Sequence, residues 1–123
     1  LIASNAQISL SHSFPVASAM IHTEKPCGLD VEWPREKMTR IQDKFLHEEE
    51  SHYQNNQTAL CIIWAAKEAI YKRYGKRNLS FKNNIIIDLK ERNILGRIEK
   101  ENFKEQVPLA LEKVNQYFLV YSR

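Results

Sequence analysis

Lys67 and Glu68 interrupt an apolar run, and well upstream of Glu68 the carboxylates Asp30 and Glu32 alternate along a short segment, Gly28-Leu29-Asp30-Val31-Glu32. A carboxylate inside an apolar helix is costly unless a positive group meets it. Two more on one face of a neighbouring strand raise the same difficulty. In an extended chain Leu29, Val31 and Trp33 point to one side and Gly28, Asp30 and Glu32 to the other. That spacing sets two like charges about 7 Å apart. One divalent cation shared by Asp30, Glu32 and Glu68 removes all three costs. Oxygen-only ligands, and few of them, favour Mg²⁺, which keeps waters and shares a substrate phosphate. The plainer alternatives are solvent around the Asp30 and Glu32 carboxylates and a surface pair between Glu68 and Lys72, one turn on, worth about 0.3–0.5 kcal/mol.

These residues need a strand and a helix to hold them. Between 59 and 75, Leu60, Cys61, Ile62, Ile63, Trp64, Ala65 and Ala66 are apolar on every face, so the first half of a helix there is buried all round. Thr58 reads as its N-cap and Gly75 as its stop. Upstream, 6–13, 16–22 and 27–33 read as three short strands, broken at Phe14-Pro15 and at Glu24-Lys25-Pro26. Residues 35–53 read as one or two short helices, and 54–57 as a polar loop. After Gly75, the alternation of Ile85, Ile87 and Leu89 with Ile86, Asp88 and Lys90 marks a strand. Further strands follow at 94–101, after a turn at 91–93, and at 116–121. The fold class is therefore α+β: an antiparallel sheet packed on one long buried helix, with shorter helices between two strand groups.

The two motifs together carry a family resemblance. Gly28-Leu29-Asp30-Val31-Glu32, followed by Trp64-Ala65-Ala66-Lys67-Glu68-Ala69-Ile70-Tyr71-Lys72, resembles the paired signature of the phosphopantetheinyl transferases. Ile8-Ser9-Leu10-Ser11-His12-Ser13 resembles the strand before the first motif in the longer, surfactin-synthetase-activating type. Phe45-Leu46-His47-Glu48-Glu49-Glu50 resembles the acidic element between the motifs. The pair Ala65-Ala66 is closer to the short holo-acyl-carrier-protein synthases. The resemblance implies transfer of the phosphopantetheine arm of coenzyme A to a serine of an acyl or peptidyl carrier protein, releasing adenosine 3′,5′-bisphosphate. It implies Mg²⁺ on Asp30, Glu32 and Glu68, and Lys72 on the coenzyme pyrophosphate. It also implies Lys67 with Ser11 and His12 along the nucleotide phosphates, and Glu50, or its neighbour Glu49, as base for the serine. On alternation alone His12 shares a side with Ile8 and Leu10, where a core histidine is the ordinary outcome. Members of the longer type have two similar halves, and this chain is similar to the second. The expectation is thus one domain over 1–123, completing its site as a homodimer or homotrimer if it works without a first half. A non-catalytic interaction module and a Mg²⁺-dependent phosphohydrolase are the alternatives.

Composition agrees with a small globular domain. The chain has 123 residues, 43% hydrophobic and 27% charged, with a net charge of +3. That mild basicity suits an anionic ligand or an acidic carrier protein. No run reaches the length of a membrane span, so neither a membrane nor a secretory route is expected, and a cytoplasmic setting is. Cys27 and Cys61 fall in apolar elements and read as reduced thiols, and no Cys/His spacing suggests zinc. The basic run Lys72-Arg73-Tyr74-Gly75-Lys76-Arg77 is short and holds one aromatic, so nucleic acid is not expected as a partner.

Overall fold

The computed structural model describes residues 7–13, 16–22, 27–76, 78–91 and 93–123, with side chains described from residue 27 onward. Strands β1 (Gln7–Ser13) and β2 (Val16–His22) pair antiparallel as a two-stranded unit. The chain then forms β3 (Leu29–Glu32), a short helix α1 (Glu36–Ile41), and 3-10 turns at Gln42–Lys44 and Glu48–Tyr53. The long helix α2 (Gln57–Tyr74) follows, then one turn of helix, α3 (Phe81–Asn84). Strands β4 (Ile85–Leu89), β5 (Ile94–Lys100), β6 (Phe103–Val114) and β7 (Tyr117–Ser122) close the fold. With β3 they make a five-stranded antiparallel sheet in the order β3-β7-β6-β5-β4. The α+β architecture expected from the pattern is the one observed. No helix among the described residues is long and apolar enough to cross a membrane.

Helix α2 is the hub of the core. Leu60, Cys61, Ile63, Ala65, Ala66, Ala69 and Ile70 are all buried along it. They meet Ile85 and Ile87 of β4, Ile94 and Ile98 of β5, Val107 and Leu109 of β6, and Val120 of β7. The helix starts one residue before the predicted cap: Asn56, not Thr58, accepts from Ala59 N through its side chain at 3.0 Å. It ends as predicted on Gly75, whose φ of 71° is the left-handed conformation a glycine adopts without Cβ strain. Arg73 then ties the last turn to β6 by a two-pronged bond to Glu105, both contacts 3.0 Å.

Strand β6, the longest, was not among the predicted strands. Its apolar alternation at Val107, Leu109 and Leu111 is flanked by charged stretches, and Pro108 sits inside it. Proline is normally barred from inner strands because it has no N–H to donate. Here the Pro108 carbonyl accepts from Arg123 N, one residue past the end of β7. A strand residue points its N and O the same way, so the missing donor also faces that margin of the ladder. Opposite Leu95, the β5 ladder continues through Pro108 unbroken.

Gly28 brings β3 against α2. A Cβ built there would lie 1.8 Å from the Ala69 carbonyl oxygen and 2.7 Å from its carbon, so main chain rests on main chain. The Gly28 N–H donates to Ser122 Oγ at 2.9 Å, and its carbonyl accepts from Ser122 N at 2.9 Å. Because backbone on both sides would have to shift, Gly28→Ala should cost about 2–3 kcal/mol of stability. Urea unfolding measures this, and an unchanged midpoint would contradict the contact.

Candidate functional site

Strand β3 and helix α2 bring Asp30, Glu32 and Glu68 into one electrostatic cluster. In register, Asp30 lies opposite Val120 and Glu32 opposite Phe118 on β7, so the two carboxylates share one face of the sheet edge. Asp30 is buried. Burial, then the neighbouring Asp30 carboxylate, and Glu68 more weakly, push the Glu32 carboxyl up from the usual range to about 7, against Arg35 and Lys72. Burial and Asp30 likewise raise the Glu68 carboxyl, with Lys72 opposing. The Cys61 thiol, seven residues before Glu68, is pushed up to about 12 by burial with help from Glu32 and Asp30, so it stays protonated.

Two cations lean on this cluster. Lys72 Nζ donates to Asp30 Oδ1 at 3.1 Å and to the Leu29 carbonyl at 2.9 Å. It therefore bridges helix to strand, and is more than the surface i,i+4 partner of Glu68. Arg35 Nη2 donates to Glu32 Oε1 at 2.8 Å. Sequence reasoning did not single out Arg35, although its place three residues after Glu32, beyond the strand-ending Pro34, was the available signal.

The donor set fits a hard divalent cation in its chemistry. Three carboxylates from two rigid elements are held together, and burial first, then the neighbouring Asp30 charge, lifts the carboxyls of Glu32 and Glu68. Their present spacing is not that of a closed ligand shell. Among the described residues, no group of three or more His, Cys, Asp or Glu side chains stands where it could hold a metal ion. Both observations stand together: the carboxylates lie within Coulombic range of each other, while Lys72 and Arg35 engage individual oxygens.

The structure gives Glu50 and Lys67 a different place from the expected one. Side chains rotate about 100° per residue along a helix, so Lys67 leaves α2 on another face from Glu68. Both side chains are fully buried, with Lys67 Nζ 2.7 Å from Glu50 Oε1. Lys67 also donates to the carbonyls of Phe45 at 2.6 Å and Phe81 at 2.8 Å, which uses all three of its protons. Glu50 Oε1 additionally accepts from His47 N at 2.7 Å, and Oε2 from Ile87 N at 2.6 Å. The rings of Phe45 and Phe81 flank Trp64, one turn before Lys67, with centroids 5.2 and 5.3 Å away. Burial lowers the Lys67 ammonium, and Glu50 opposes that shift. In this arrangement Lys67 offers nothing to a phosphate, and Glu50 offers no oxygen to an incoming serine. Its neighbour Glu49 is exposed and pairs with Arg97 at 2.7 Å.

Ser11 and His12 lie in β1, opposite Ser18 and Ala17, and β1 packs beside β3. Their side chains lie outside the described ones. Cys27 and Cys61 are both buried, and neither is in a disulfide.

A family model described as the 4′-phosphopantetheinyl transferase superfamily matches residues 26–121, from just before β3 to the end of the sheet. No curated protein matches the chain.

The buried pair yields a stability test. Lys67→Met strands Glu50 in the core and should cost about 3–5 kcal/mol. The double variant Lys67→Met with Glu50→Gln removes the orphaned charge, keeps an acceptor for one backbone N–H, and should recover a substantial part. A double-mutant cycle by urea unfolding measures the coupling; additive losses would contradict a direct pair.

Proposed function

This chain belongs to the 4′-phosphopantetheinyl transferase superfamily, and from that premise we propose that it moves the phosphopantetheine arm of coenzyme A onto a serine of a carrier protein. The observation that carries this reading is the convergence of Asp30, Glu32 and Glu68 beside Lys72. In the reaction the serine oxygen forms a bond to the phosphorus bearing pantetheine. The bond from that phosphorus to the bridging oxygen breaks, adenosine 3′,5′-bisphosphate leaves with the bonding electron pair, and the serine proton passes to water. Asp30, Glu32 and Glu68 would hold Mg²⁺, which when bound supplies charge neutralisation for the pyrophosphate.

The remaining work falls to the chain's own groups. Displacement at phosphorus needs positioning and charge stabilisation more than covalent help. Lys72, partly exposed and fixed on Leu29 and Asp30, presents an ammonium at the rim of the cluster, where a pyrophosphate from solvent meets it. In this reading Lys67 and Glu50 act at a distance: their junction fixes the rotation of α2 and so the direction of Glu68. Ser11 and His12 are assigned to the nucleotide phosphates on the family pattern alone. We further propose that residues 1–123 act as one domain corresponding to a second half, with the coenzyme at a junction between copies in a dimer or trimer.

Mass spectrometry of an apo carrier protein incubated with this chain, coenzyme A and Mg²⁺ tests the reading. The expected result is a carrier protein heavier by one phosphopantetheine group. Asp30→Ala and Glu68→Ala should abolish the transfer, and Lys72→Ala should slow it by about a hundredfold. Bisphosphate released without carrier protein would favour a phosphohydrolase instead. Absence of any Mg²⁺-dependent coenzyme A binding would leave the interaction module.

A further inference from the structure

The proposed reaction makes no use of Arg35, yet its guanidinium sits on one of the cluster's carboxylates. Pro34 separates it from β3, and Arg35 itself is extended, with φ −139° and ψ 147°, at the N-cap of α1. Its side chain makes no capping bond to that helix. It turns back instead, with Nη2 2.8 Å from Glu32 Oε1 and the guanidinium carbon 5.3 Å from the centre of the Trp33 ring. The grip is single-pointed, and Arg35 Nε is buried with no hydrogen-bond partner among the described residues. Arg73 takes Glu105 with both prongs of its fork. A buried N–H without an acceptor costs free energy, so the Arg35 contact falls short of what an arginine–carboxylate pair can reach.

Resting on the reading of the cluster as a Mg²⁺ site, we propose that Arg35 is an exchangeable counter-ion: it neutralises Glu32 while no divalent cation is bound and releases it when one arrives. Release breaks one hydrogen bond, and the Trp33 face keeps the guanidinium near by cation–π attraction. A positive charge beside a ligand opposes a divalent cation, so Arg35 holds the cation affinity of the free protein down. At such distances in a partly wet site, one charge changes affinity on the order of tenfold.

Titration of the full chain with Mn²⁺ alone, followed by the paramagnetic resonance of the free ion, tests this. Arg35→Gln should bind Mn²⁺ on the order of tenfold more tightly than the wild type, and Arg35→Lys, which keeps the charge, should bind close to the wild type. Equal or weaker binding by Arg35→Gln, or no binding by either, overturns the proposal. A second measurement needs no variant. In the wild-type chain the Arg35 guanidinium protons should lose exchange protection on saturation with Mg²⁺, and unchanged protection overturns the proposal as well. Asp30→Asn and Glu68→Gln separate the two readings. If they keep Mn²⁺ binding, the cluster is not the metal site. If they lose it while Arg35→Gln matches the wild type, the counter-ion inference alone falls.

Discussion

The main chain of β3 rests on the main chain of α2 at Gly28 and Ala69, with no room for a side chain between them. Everything at the cluster follows from that approach. A strand held off by even one methyl group would carry Asp30 and Glu32 away from Glu68 and from Lys72. Held this close, the strand edge places its carboxylates against the helix, and Lys72 reaches across to the Leu29 carbonyl and Asp30. Ser122 of β7 fixes the other side of Gly28 through both its hydroxyl and its backbone N–H. The position of the strand is therefore set by contacts on two sides, independently of any ligand.

Helix α2 separates two charge environments of opposite character. On one face the Lys67–Glu50 pair is complete, with every proton of the ammonium and both oxygens of the carboxylate engaged. Such a pair contributes little net stability against an apolar replacement, but it specifies how the 3-10 segment, α2, α3 and β4 meet. On the next face the balance is unfinished: three carboxylates face two cations, and the Glu32 carboxyl is pushed up to about 7. A satisfied network locks structure, whereas an unsatisfied one stores free energy that binding can release. Consecutive residues of one helix, Lys67 and Glu68, thus serve different ends.

Much of this was legible in the sequence. The buried helix, its Gly75 stop, the three N-terminal strands and the pairing of Asp30 and Glu32 on one strand face all follow from periodicity and spacing. Other features depend on partners far along the chain. Lys67 looked available because local pattern cannot tell which face of a helix meets Phe45, Glu50 and Phe81. Glu50 differs from Glu48 and Glu49 only in which residue of the turn points inward, a register that three consecutive Glu do not reveal. Strand β6 was hidden by Pro108, tolerated because β7 ends beside it. Asn56 displaced Thr58 as cap because the helix begins at Gln57, ahead of its first buried apolar residue, Ala59.

The central proposal is that Asp30, Glu32 and Glu68 form one carboxylate cluster that receives a divalent cation. The carboxyl carbon of Glu32, followed by carbon-13 NMR in a pH titration, addresses it directly. In the metal-free protein its midpoint should lie near 7, well above the ordinary value of 4.5, and saturating Mg²⁺ should draw it down by stabilising the charged form. A midpoint in the ordinary carboxylate range that does not respond to Mg²⁺ would contradict the account.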